Sequence, residues 1–145
     1  MSGSSKILIV EATYYQEIAD HLVTGATAVL EKKGYSFERL SVPGVFEVPS
    51  AIAHASRSNE GYAGYIALGC VIRGETDHYD HVCRESSHAC MDLSVNGGLA
   101  IGFGILTCEN IEQAIARADP AQKNKGREAA TACLNVIDLK SRFGS

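Results

Sequence analysis

Ala67-Leu-Gly-Cys-Val-Ile-Arg-Gly-Glu-Thr-Asp-His-Tyr-Asp-His-Val82 is the stretch on which the fold turns. It opens as an apolar run with strand character. The run breaks at Arg73-Gly74, and a polar segment that starts a helix follows, carrying His78. A strand tip, a glycine turn and a helix N-terminus together present free backbone N–H groups and a positive dipole end. An anion such as phosphate binds in such a place. A histidine in the first helical turn can work beside it, so the segment points to an enzyme acting on a small phosphorylated molecule.

The same alternation continues on both sides. Upstream, Lys6–Ala12 fits a buried strand, and Ile18, Leu22, Ala26, Val29 and Leu30 form one stripe of a helix from about Gln16 to Lys33, stopped by Gly34. Tyr35–Val42 reads as a strand broken by Pro43-Gly44, and Val45–Ser56 as a short helix with Pro49 near its first turn. Tyr62–Ile72 is the next strand and His78–Val95 the helix after it, closed by Asn96-Gly97-Gly98. Downstream, Leu99–Leu106 reads as a strand whose Gly102 and Gly104 imply close approach of a ligand or a neighbour. Thr107 is the expected N-cap of a helix from about Cys108 to Ala118, ended by Asp119-Pro120, and Asn124–Lys140 is a final amphipathic helix.

Strands alternating with helices predict an α/β fold: a three-layer sandwich with a four-stranded, mainly parallel sheet and helices on both faces. Ligands of such sheets bind beyond the carboxyl ends of the strands. Tyr14, Gly44–Glu47, Arg73–His78 and Thr107-Cys108 are therefore expected to converge on one edge.

The composition agrees with a soluble globular chain. Its 145 residues suit one domain spanning 1–145, with residues 1–5 expected to be disordered. The formal charge of −4 and the lack of a basic block argue against nucleic acid as a partner. The apolar runs Tyr65–Ile72 and Leu99–Leu106 are too short to span a bilayer, so no membrane role is expected. The polar start Met-Ser-Gly-Ser-Ser lacks an apolar signal core, which makes the cytoplasm the expected location. Five cysteines at irregular spacing, with no C-x-x-C pair, argue against a disulfide framework, and most read as buried thiols.

Several residues could carry chemistry. His78 is the lead for acid–base work, because an imidazole changes charge near neutral pH; the alternative is an ordinary surface histidine. Gly74-Glu75-Thr76 is the phosphate candidate, although a plain strand–helix turn capped by Thr76 or Asp77 reads the same way. Arg117 by itself complements a helix C-terminus, and Lys125 and Glu128 by themselves form a solvated i, i+3 pair. His78 and His81 have metal-ligand spacing beside Asp77 and Asp80, but the nearest further histidine, His88, is ten residues beyond His78. Tyr14, Phe46 and Phe103 lie near strand ends, where an aromatic can stack on a flat heterocycle or simply finish the core.

Four stretches carry a specific likeness: Val42-Pro-Gly-Val-Phe-Glu-Val-Pro49, the Ala67–Val82 segment, Phe103-Gly-Ile-Leu-Thr-Cys-Glu-Asn-Ile-Glu-Gln-Ala-Ile-Ala-Arg-Ala118 and Asn124-Lys-Gly126. In their order and spacing the chain resembles the lumazine synthase family of riboflavin biosynthesis, from about Lys6 to Lys140. The resemblance implies condensation of 5-amino-6-ribitylamino-uracil with 3,4-dihydroxy-2-butanone 4-phosphate. The products would be 6,7-dimethyl-8-ribityllumazine, phosphate and water, formed without a metal or organic cofactor. It also implies a homo-oligomer, either a pentamer with active sites between subunits or a sixty-subunit shell of twelve pentamers, with riboflavin synthase as a further partner.

Carried onto this chain, the resemblance makes His78 the proton donor. Glu75 and Thr76 become the phosphate-binding turn, and Arg117 the phosphate's arginine. Tyr14, Val45, Phe46, Glu47, Cys70, Val71 and Ile72 become the pocket for the pyrimidine and its ribityl chain. Phe103 would come from the adjacent subunit, and Lys125 and Glu128 would support the phosphate and the histidine. Tyr14 stands where the family usually has Phe or Trp, Thr13 where Arg is common, and Val45 where a smaller residue is usual. Asp119–Lys123 lacks both the glycine-rich loop associated with shell-forming members and the insertion associated with isolated pentamers, which leaves the choice between pentamer and shell open. The competing readings are the related archaeal-type riboflavin synthase and a flavin-binding or shell-forming protein without turnover.

Overall fold

The computed structural model of the chain describes residues 5–74 and 78–144. Four strands, β1 (Lys6–Ala12), β2 (Ser36–Val42), β3 (Gly64–Ile72) and β4 (Ile101–Cys108), pair in the order β2-β1-β3-β4. All three pairings are parallel. Five α-helices accompany them: α1 (Gln16–Lys32), α2 (Val48–Ser56), α3 (His78–Val95), α4 (Ile111–Ala118) and α5 (Lys125–Phe143). A 3-10 turn, Val45–Glu47, leads into α2.

Side-chain alternation along the strands divides the core into two layers. Ile7, Ile9, Ile66, Leu68, Leu106 and Cys108 face α1, α4 and α5. Leu8, Val10, Tyr65, Ala67, Ile101 and Ile105 face α2 and α3. The expected three-layer sandwich is therefore present, with its sheet wholly parallel. Among the described residues no helix is long and apolar enough to cross a membrane.

Helix ends follow the sequence signals in most places. Gly34, at φ +81°, closes α1: Gly34 N bonds to Glu31 O at 3.2 Å and Tyr35 N to Leu30 O at 2.9 Å. That pattern satisfies the last carbonyls of the helix. One expected boundary is corrected. Thr107 is not an N-cap, because the ladder continues to Ile72↔Cys108 and keeps Thr107 and Cys108 in β4. The cap is Asn110, whose Oδ1 accepts from Gln113 N at 2.9 Å, so α4 starts three residues later than the sequence suggests.

The glycines of β4 admit a neighbour rather than a ligand. A Cβ on Gly102 would overlap the Ala129 carbonyl oxygen of α5, and one on Gly126 would overlap the Leu22 carbonyl oxygen of α1. The α5 backbone thus lies directly against both the sheet and α1. At the opposite edge, Glu11 is 1 % exposed, and its carboxylate accepts from Arg39 Nε and Nη2 at 2.7 and 2.8 Å. This two-pronged pair satisfies a buried charge and ties edge strand β2 to β1.

The packing of α5 on β4 and the buried thiols each have a measurable consequence. Gly102→Ala forces α5 off the sheet and should destabilise by about 1–3 kcal/mol, the usual cost of overpacking, read as a lower denaturant midpoint. The second concerns thiols. Burial pushes Cys133 and Cys70 up to about 12 and Cys90 up to about 11, against an ordinary value of 9.0. The folded chain keeps protons that the unfolded chain loses, so their contribution is complete below about pH 9 and is lost as pH rises through about 11–12. The urea midpoint should fall across that window, and Cys133→Ala and Cys90→Ala should flatten the fall.

Candidate active site

The chain leaves β1 toward β2, then returns across β1 to build β3 and β4 on the other side. Parallel crossovers are right-handed, so reversing direction puts α1 on one face and α2 and α3 on the other. The loops after β1 and β3 part where the direction reverses, and a crevice opens beyond their carboxyl ends.

A cavity of about 600 Å³ occupies this crevice. Tyr14 and Tyr15 line it from the end of β1, Gly44–Glu47 from the turn before α2, Cys70–Ile72 from β3, and His78, His81 and Val82 from α3. Gly69 shapes its floor, because a Cβ there would stand 2.9 Å from Val45 Cγ2 and 3.0 Å from Ala12 Cβ. Val45, 6 % exposed, drops into that space. Phe46 and Tyr14 remain 58 % and 77 % exposed at the mouth, with Tyr14 edge-on to Tyr15 at 4.9 Å. The Glu47 carboxylate accepts from Gly44 N at 3.0 Å and holds the 3-10 turn in place. The Cys70 thiol is held protonated first by burial and then by its neighbour Cys108, so it serves as wall rather than nucleophile.

A second cavity of about 530 Å³ lies along the β4 edge, between β4 and α5. Phe103, Thr107, Arg117, Lys125 and Glu128 line it, over a floor of Gly104–Leu106 and Ala129. Arg117 Nη1 donates to Thr107 O at 3.2 Å and lies 3.5 Å from Cys108 Sγ. Among the described residues no carboxylate lies within ion-pair distance of Arg117. Lys125 Nζ pairs with Glu128 Oε1 at 3.1 Å.

The structure thus brings Tyr14, Val45, Phe46, Glu47, Cys70, Val71, Ile72 and His78 together at the crevice. It brings Phe103, Arg117, Lys125 and Glu128 together elsewhere, and among the described residues the two cavities share no lining residue. Thr107-Cys108 lies at the same carboxyl edge of the parallel sheet as the end of β3, as expected, but Thr107 lines the second cavity and not the crevice. The physical reason is that β4 lies beyond β3, on the far side from the crevice. Glu75 and Thr76 lie outside the described residues. Among the described residues no three His, Cys, Asp or Glu side chains are arranged to hold a metal ion. Sequence reasoning did not assign Tyr15, His81 or Val82 to the pocket. His81 and Val82 stand three and four residues after His78, the spacing that puts helix residues on one face, so that signal was present.

Comparison with known proteins gives a consistent result. The family model described as 6,7-dimethyl-8-ribityllumazine synthase matches residues 4–141. A relative from Bartonella bacilliformis bearing that name is 55% identical over 139 residues, covering 95% of this chain and 91% of the relative. Relatives of the same name from Erythrobacter litoralis and Agrobacterium fabrum are 50% and 51% identical, over 97% and 95% of this chain.

Proposed function

The chain belongs to the 6,7-dimethyl-8-ribityllumazine synthase family, and on that premise we propose that its two cavities are complementary halves of one active site, completed between neighbouring subunits. The enzyme condenses 5-amino-6-ribitylamino-uracil with 3,4-dihydroxy-2-butanone 4-phosphate in the penultimate step of riboflavin biosynthesis. A phosphorylated substrate needs cationic partners. Among the described residues the crevice cavity is lined by no Lys or Arg, whereas Arg117 and Lys125 line the other. That division of charge carries the proposal: a substrate seated by Phe46 and His78 obtains the cationic partners of its phosphate from the next subunit. The assembly is then a homo-oligomer, for which a pentameric ring is our assignment, and its location the cytoplasm.

In this reading the pyrimidine stacks at Tyr14 and Phe46, and its ribityl chain lies along Val45–Glu47 and Cys70–Ile72. Phe103 of the neighbouring subunit covers the opposite side. The amine attacks the ketone carbon, water leaves, and an imine forms. A proton then leaves the sugar-derived carbon as the phosphate bond breaks, and ring closure with loss of water gives the lumazine. His78 takes and returns these protons. Arg117, with the backbone of Glu75 and Thr76, stabilises the departing phosphate, a task suited to a forked guanidinium. Holding two reactants together supplies most of the acceleration, a contribution worth about 7–11 kcal/mol.

The tests separate these roles. His78→Ala should lower turnover by roughly 10²-fold or less, because proximity remains when the proton carrier is lost. An unchanged rate would remove His78 from the chemistry. Arg117→Ala should raise KM for the phosphate substrate by about tenfold or more while KM for the uracil stays near its parent value. Equal change in both would contradict its assignment. Co-assembled His78→Ala and Arg117→Ala subunits should exceed the summed activity of the two separate variants, since some sites receive both native halves. Activity no greater than the sum would place all ligands within one chain.

A further inference from the structure

We propose that Arg73 is a positioning residue for His78, which clamps the first turn of α3 to the β4–α4 loop and takes no part in holding the substrate's phosphate. The inference rests on the reading of His78 given above. By position Arg73 invites a different assignment: it is a cation at the carboxyl end of β3, next to the Gly74–Asp77 segment. Its contacts argue otherwise.

The backbone N–H of Arg73 donates to Cys108 O at 2.9 Å, so the residue extends the β3–β4 ladder by one step. Its Nε lies 3.1 Å from both oxygens of Glu109, in the loop after β4. Nη1 lies 3.6 Å from Asp80 Oδ1, and Cζ sits 4.3 Å from the centre of the Tyr79 ring. Tyr79 is 9 % exposed, so the ring that Arg73 covers is itself packed into the protein. One planar guanidinium therefore meets a carboxylate from the β4–α4 loop, a carboxylate from α3 and an aromatic face from α3. Two carboxylates match its single charge, which makes it a poor anion ligand beside Arg117. Tyr79 and Asp80 immediately follow His78, so fixing them fixes the backbone from which the imidazole reaches into the crevice. Lysine cannot reproduce this: its ammonium could keep an ion pair but offers neither the fork nor the stacked plane.

The ion pairs are half-exposed, so the clamp acts on geometry more than on stability. A displacement of about 1 Å in a reacting group costs up to roughly a hundredfold in rate, and partial loosening correspondingly less. The test compares Arg73→Met in the parent and in His78→Ala, following lumazine formation with both substrates. In the parent, kcat should fall about tenfold, with KM for the phosphate substrate within about twofold of its parent value. In His78→Ala the same change should cost less than about twofold, because the residue it positions is gone. Arg73→Lys and Glu109→Gln should give intermediate losses in the parent and none in His78→Ala, and they carry the test should Arg73→Met fold poorly. An equal loss in both backgrounds, or a rise confined to phosphate-substrate KM, would overturn the proposal and make Arg73 a direct ligand or a general fold element. If His78→Ala alone left the rate unchanged, the reading of His78 would fail first, and this inference with it.

Discussion

The arrangement depends on a reversal of chain direction at β1. Because the first crossover runs one way and the later ones the other, the loops at the carboxyl ends of β1 and β3 diverge, and the sheet itself leaves the crevice open. What lines the opening is set by which residues end the strands. Tyr14 follows β1, Gly44–Glu47 follow β2, and Cys70–Ile72 finish β3. Gly69 adds one condition, since a side chain there would push Val45 away from the strand and out into the space a ligand needs.

Much of this was legible in the sequence, for physical reasons. Strands buried on both faces appear as continuous apolar runs, and Lys6–Ala12 and Gly64–Ile72 did so. Turn chemistry marked Gly34 and Pro49. The misplaced start of α4 came from reading Thr107 as a cap by residue type, when pairing with β3 extends the strand past it; strand pairing is non-local and leaves no mark at position 107. The glycines of β4 announced a close approach without saying to what, and the answer, the carbonyl of Ala129, lies in a helix that follows later in the chain. The division of the site residues over two cavities was invisible to any argument from strand ends alone. Arg117 comes from the last turn of a helix, and only tertiary packing shows that its partners are neutral.

Charge matching separates residues that sequence position makes look alike. Arg73 and Arg117 both stand close to the β3–β4 end of the sheet. One is surrounded by Glu109, Asp80 and the face of Tyr79; the other meets a backbone carbonyl and a thiol. A guanidinium whose charge is already balanced holds protein in place, and one without a carboxylate beside it is available to an incoming anion. Glu11 and Arg39 repeat the first pattern at the opposite edge, where the pair joins strands and lies apart from both cavities.

Two unlike cavities on one chain also constrain how copies can be counted. If the two cavities are halves of one site, as proposed, the contact that joins them is head-to-tail: each subunit would give one half to the copy on its left and the other half to the copy on its right. In a row with free ends, one crevice lacks its arginine and one arginine lacks its crevice, so the number of working sites is one less than the number of chains. Closing the row removes that deficit. On the proposed reading closure is a catalytic matter as well as an architectural one, and catalytic capacity per chain would grow with the completeness of the assembly.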